Sequence, residues 1–236
     1  MGLFIAYFFP ISLRLRIHLP FLLVRNLYFI VISLLFAACT SGTSAIVRTL
    51  ELASTGGAQE MATPSTPGMQ YIRVLSEGHA AYLALGYVEP GPEGNTEIWY
   101  SAKGEVLRLL NGRIVGTVGL ATDWREVRLP KLPPWSQIGN SPLQYRRSRD
   151  EMPDYRSNIV EILSVRAVQP PKVSQLKGRD PTGLHWFEET IYAGPQKSKE
   201  LPPSLYAVEL SKGSETVVYG ETCLTTSLCL AWQRLQ

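Results

Sequence analysis

The chain has 236 residues, a formal net charge of +3, 45% hydrophobic and 18% charged residues, a globular composition that is neither that of a disordered chain nor, once the N-terminal segment is cleaved, that of a membrane-spanning one. Its positive charge comes from the first 38 residues, which hold Arg14, Arg16 and Arg25 and no acidic residue; without them the 23 basic residues fall to 20, against 20 acidic. A protein that binds a phosphate backbone carries a basic footprint, so this balance argues against nucleic acid as a partner.

The first element is Arg25 to Cys39, RNLYFIVISLLFAAC. A basic residue, an apolar run from Leu27 to Phe36, and Ala37-Ala38 before a cysteine form the layout of a lipoprotein signal. The run is shorter than the roughly 20 residues a membrane-spanning helix needs. Small side chains next to the scissile bond fit the peptidase, and the thiol accepts the diacylglyceryl group. Residues 1–38 are therefore expected to be a signal peptide and Cys39 the lipid-bearing first residue of the mature chain. Thr40 at the next position, rather than Asp, points to the periplasmic face of the outer membrane by the sorting convention of enteric-type bacteria. The preface before Val24 is a second apolar stretch broken by Pro10, Arg14, Arg16 and Pro20, unusual for such a signal, so the true start codon is expected near Val24.

Residues 39–68 are rich in Ser, Thr, Gly, Ala and Pro and read as a tether. Within it, Ile46, Leu50 and Ala53 share one face of a short helix. The remaining residues, 69–236, read as a single antiparallel β domain. Tyr71 to Leu75 and Ala81 to Val88 are enriched in aromatic and branched residues and end in the turn signals Glu89 to Asn95.

Thr96 to Leu120 predicts a three-stranded meander. Ser101-Ala102-Lys103-Gly104 forms the first turn, and Asn111-Gly112 forms the second, because this dipeptide tolerates the two positive φ angles of a type I′ turn. Beyond it, Leu129 to Trp135 carries too many prolines for a central strand. Gly139 to Tyr155 is a run of mixed charge, Arg146, Arg147, Arg149, Asp150, Glu151 and Asp154, expected to be a solvated loop. Strands resume at Asn158 to Val168, His185 to Ala193, Leu205 to Leu210, Thr216 to Tyr219 and Leu230 to Arg234. The fold class expected is mainly β, antiparallel sheets forming a sandwich or a partly open barrel.

Glu97-Ile98-Trp99-Tyr100-Ser101-Ala102-Lys103-Gly104, then Asn111-Gly112-Arg113-Ile114-Val115 and Thr117-Val118-Gly119-Leu120, resemble a segment of the YjbF/GfcB family of outer-membrane lipoproteins. Signal, short helix, first strand, meander and C-terminal strand pair also follow the family's order. Lys103 departs from the Asp common at that turn. The resemblance implies an antiparallel β fold and a part in group 4 capsule or exopolysaccharide production or export, with polysaccharide assembly and export proteins as partners. It implies no catalytic residue and no cofactor.

The residues supply no catalytic signature of their own. HExxH, GxSxG, GxxxxGK and CxxC are all missing, and no metal-ligand spacing is visible. His185 reads as a partly buried structural histidine. Glu188 and Glu189 are adjacent in a strand and point to opposite faces, so they do not flank one glycosidic bond. Cys223 and Cys229 have no further ligand nearby and are expected to form a disulfide in an oxidising periplasm. The tryptophans and tyrosines are explained by β propensity. Trp124 and Trp135 flank the proline-rich stretch outside any clear strand, which makes them the candidates for stacking on a sugar ring. Two functions follow: a non-enzymatic accessory lipoprotein, and, as the alternative, a periplasmic carbohydrate-active enzyme that modifies the polymer.

Overall fold

Aromatic and branched residues recur with a period of two from Tyr71 onward, and each such run forms a strand. A computed structural model describes residues 66–211 and 213–235, all within the compact unit Ala58–Gln236. The signal, the lipid-bearing Cys39, the short helix and the tether up to residue 65 lie outside the described residues.

The strands are β1 (Tyr71–Ser76), β2 (His79–Gly91), β3 (Gly94–Ser101), β4 (Val106–Leu110), β5 (Arg113–Val118) and β6 (Asp123–Arg128), followed by β7 (Leu143–Met152), β8 (Arg156–Val168), β9 (His185–Ala193), β10 (Ser204–Ser211), β11 (Ser214–Cys223) and β12 (Cys229–Arg234). A single-turn helix, α1 (Gln196–Lys199), joins β9 to β10. All twelve strands belong to one sheet in the order β5-β4-β3-β2-β1-β12-β11-β10-β9-β8-β7-β6. Each neighbour is antiparallel and adjacent in sequence, except that β1 also pairs with β12, Ile72 opposite Arg234 and Ser76 opposite Leu230.

The sheet curls into a nearly closed barrel, the second of the two architectures expected from sequence. Its two end strands, β5 and β6, are consecutive in the chain and meet through side chains in place of a ladder. The Trp124 amide donates to the Thr117 hydroxyl at 3.0 Å, and the Asp123 carboxylate accepts from the amides of Gly119 and Leu120. Asn111 and Gly112, at φ 49° and 82°, make the β4–β5 turn as the sequence predicts. The position admits only glycine, because a Cβ at Gly112 would fall 2.5 Å from Val217 Cγ1.

One correction concerns Gly139 to Tyr155, expected to be a solvated loop. Most of it is strand β7, paired to β8 from Leu143 opposite Val165 to Glu151 opposite Arg156, with a register shift between Arg149 and Glu151. Trp124 likewise lies within β6.

The barrel interior holds the main core, with Ile72, Trp99, Leu109, Val165 and Trp232 fully or almost fully buried. A second cluster sits on the outer face of β9 to β12, where Trp186, Ala207, Val218 and Tyr219 pack with Leu176 and Leu184 from the β8–β9 connection. That connection is bonded to the wall: the Gln175 amide donates to Tyr219 Oη at 2.8 Å, the Lys177 amide to Gln233 Oε1 at 2.9 Å, and Trp186 Nε1 to the Pro181 carbonyl at 2.8 Å.

Candidate functional site

Strand alternation places Tyr145, Arg147, Arg149 and Glu151 of β7 on the inner face, all buried. β8 adds Glu161, which has no exposed surface, and β9 adds Glu189; Arg113 enters from β5. These residues form a ladder of alternating charge through one side of the barrel. Arg113 Nε donates to Glu189 at 2.9 Å and to Tyr145 Oη at 3.2 Å, while the Tyr145 hydroxyl donates to Glu189. Arg147 meets Glu161 at 2.7 Å and Arg149 meets the same carboxylate at 3.1 Å. Arg149 then bonds Glu151, and Arg156 reaches Glu151 from the rim. Ser198 of α1 accepts from Arg149 at 3.3 Å.

Three buried arginines face three buried glutamates, so the ladder is neutral. Burial pushes the Glu161 carboxyl up, but Arg147 and Arg149 more than offset it and hold it below the ordinary range. Glu151 is likewise held low: burial raises it, and hydrogen bonds from Arg156 and Arg149 win. Burial, reinforced by Glu189, pushes Tyr206 up to about 12 and Tyr145 well above its ordinary value. The ladder thus holds Glu151 and Glu161 as carboxylates among permanently charged guanidinia, beside the protonated phenols of Tyr145 and Tyr206.

Trp124 and Trp135, the candidates for sugar stacking, are both inside, at 1% and 4% exposure. Neither offers a ring face to a ligand. Two guanidinia take Trp124, with Arg149 at 4.6 Å and Arg147 at 4.7 Å from the ring centre. Trp135 is carried by a 3-10 turn, Trp135–Gln137, in the connection that follows β6. It packs against Phe187 at 4.8 Å and Tyr206 at 5.2 Å, with Arg113 4.0 Å from its ring. Its Nε1 donates to the Asn111 carbonyl, and its amide donates to Glu215 at 2.7 Å. The proline-rich stretch therefore delivers a plug into the barrel.

Cys223 and Cys229 are bonded to each other and are directly opposite in the β11–β12 hairpin. His185 is exposed at the start of β9, which corrects the partly buried position expected for it. Glu188 and Glu189 point to opposite faces, Glu188 to Arg166 outside and Glu189 into the ladder. Among the described residues, no three His, Cys, Asp or Glu converge as a metal-ligand set. Among them, too, no helix is long and apolar enough to cross a membrane.

The sequence reading missed the ladder, and it missed a cleft of about 360 Å³ where the ladder reaches the rim between β6, β7 and β8. Its lining includes Arg125, Asp150, Tyr155 and Arg156, with Tyr155 82% exposed.

A search of curated proteins finds no match to the chain. A crystal structure described as the hypothetical lipoprotein YmcC from Escherichia coli has the same fold, with a TM-score of 0.53 at 17% identity over 84% of this chain and 97% of that one. The family model described as group 4 capsule polysaccharide lipoprotein gfcB, YjbF matches residues 58–200, more than half of the 236 residues, and the protein belongs to that family.

Proposed function

We propose that this chain is an outer-membrane lipoprotein, held at the periplasmic face by lipid on Cys39, and that it serves capsule or exopolysaccharide production or export as a non-enzymatic accessory factor. The family's place among capsule polysaccharide lipoproteins supports the polysaccharide role. The observation that carries the accessory reading is the state of the buried carboxylates. A glycosidase acid must be protonated near neutral pH and open to its substrate. Glu161 is instead held low and locked against two arginines in the interior, and Glu151, at the rim, is held low between Arg149 and Arg156. Partners on this reading are polysaccharide assembly and export proteins.

The test is a deletion strain complemented with wild type or with Cys39→Ser. Loss of surface polysaccharide on deletion, recovery with the wild type, and no palmitate label on the Cys39→Ser variant are expected. Surface polysaccharide unchanged by deletion, or a polymer-cleaving activity that disappears with the gene, would overturn the reading.

A further inference from the structure

We infer that the rim cleft between β6, β7 and β8 binds an acidic sugar unit, with Tyr155 as the stacking surface and Arg125 as the cation that meets the sugar's carboxylate; this deepens the polysaccharide role proposed above and rests on it.

The charged residues that line the cleft are engaged with one exception. Arg128 bonds both Glu126 at 2.6 Å and Asp150 at 2.9 Å. Asp150 also accepts the Asn158 amide at 2.7 Å, and Glu151 is held between Arg149 and Arg156. Arg125 is exposed and makes no ion pair or hydrogen bond among the described residues. Each lining carboxylate is bonded to a guanidinium, and the lining charge left without a partner is the Arg125 guanidinium. Its fork suits a carboxylate, with two parallel N–H···O bonds.

Tyr155 supplies the second observation. It sits at φ 52° in the β7–β8 turn, a conformation glycine adopts freely and a bulky side chain adopts at a cost. Nothing in the protein's own packing recovers that cost, because the residue is 82% exposed beside the cleft. A local rule broken without an internal gain marks a functional position. The gain fits an external one: a flat amphipathic ring takes the apolar C–H face of a pyranose. About 360 Å³ is at the lower end of the roughly 300–1,000 Å³ of small-molecule clefts, room for a sugar unit at a chain end or along a strand.

Isothermal titration of the full chain in detergent, against trigalacturonate, a hyaluronan tetrasaccharide, a sialic acid trimer, maltotriose and inorganic phosphate, tests the site. At least one acidic saccharide is expected to bind tenfold or more tighter than maltotriose and phosphate. Arg125→Gln is expected to remove most of that preference. Tyr155→Gly is expected to weaken binding tenfold or more without lowering the unfolding midpoint, since glycine relieves the backbone. No binding of any acidic probe, phosphate equal to the best saccharide, maltotriose equal to the acidic probes, or variants that bind like wild type would each overturn the inference. In the deletion strain the two readings separate. If the Arg125→Gln/Tyr155→Gly double variant restores surface polysaccharide as fully as wild type, the cleft fails while the accessory function stands; if deletion itself has no effect, the function fails.

Discussion

Replacing Glu161 by Gln removes one charge from the ladder and almost no volume. Glu161 has no exposed surface and is the only carboxylate among the described residues that bonds Arg147; it also bonds Arg149, which retains Glu151. The substitution therefore leaves Arg147 as an unpaired buried cation, beside the Trp124 ring. Breaking a buried pair by removing one partner costs about 3–5 kcal/mol, a large share of the roughly 5–15 kcal/mol of a typical domain. For a domain of this size that corresponds to a fall of about 6–20 °C in Tm. Urea denaturation and thermal melts of Glu161→Gln read this out, with Glu188→Gln as the matched control on the outer wall. Its pair with Arg166 is half exposed and is worth about 0–1 kcal/mol. Adding Arg147→Met to Glu161→Gln should cost less than Arg147→Met alone, because the second change removes the orphan charge. A loss below about 1 kcal/mol for Glu161→Gln, or one equal to the control, would refute the view that the ladder is closed to water.

Acid should weaken the fold through the same groups: Glu161 and Glu151 are held below their ordinary pKa of 4.5 in the folded chain, so their contribution is complete above that value and is lost as pH falls through the lowered folded values. The urea midpoint should be level near neutral pH and drop below about pH 4.5, and the drop should be shallower in Glu161→Gln. Gly112→Ala should destabilise by about 1–3 kcal/mol, combining a positive φ with a collision, since its Cβ would meet Val217 at 2.5 Å. Gly104→Ala, at φ 93° with open space around it, should cost only the φ penalty, and equal melting shifts for the two would refute the packing argument. Cys223→Ser with Cys229→Ser, which opens a short loop closed across the β11–β12 hairpin, should lower stability by about 2 kcal/mol, with dithiothreitol producing the same shift in the wild type and none in the variant.

What the sequence made legible was governed by local chemistry. Asn111-Gly112 encodes its turn, and Val106 to Leu110 and Arg113 to Val118 show strand residues on both sides of it. The ladder was hidden for the opposite reason. In β7 the inward residues, Arg147, Arg149 and Glu151, are as charged as their outward neighbours Arg146 and Asp150, so the polar–apolar alternation that marks a half-buried strand is absent. Their partners lie on other strands, and no spacing along the chain announces them. One signal was available in β8, where Ile159, Leu163 and Val165 share an inward face with Glu161. A glutamate in an apolar row requires a buried cation, and the three arginines of the preceding segment were the candidates. Trp135 was misplaced because proline predicts a loop correctly and says nothing about whether that loop turns inward.

A barrel whose interior is filled in this way restricts where it can meet a polymer. Trp135, bonded to Asn111 and Glu215 and packed on Phe187 and Tyr206, occupies the interior near Arg113, and the ladder runs from there to Ser198 and the rim. Passing a saccharide chain through would separate several buried pairs at once, at about 3–5 kcal/mol for each charge left alone, more than the whole stability of a typical domain. On the proposed role, any contact with polysaccharide is therefore confined to the rim and the outer wall. The large side chains left in solvent include three tyrosines, Tyr155 at 82%, Tyr192 at 66% and Tyr87 at 53% exposure, and of these three only Tyr155 stands over a cleft with an unpaired cation among the described residues.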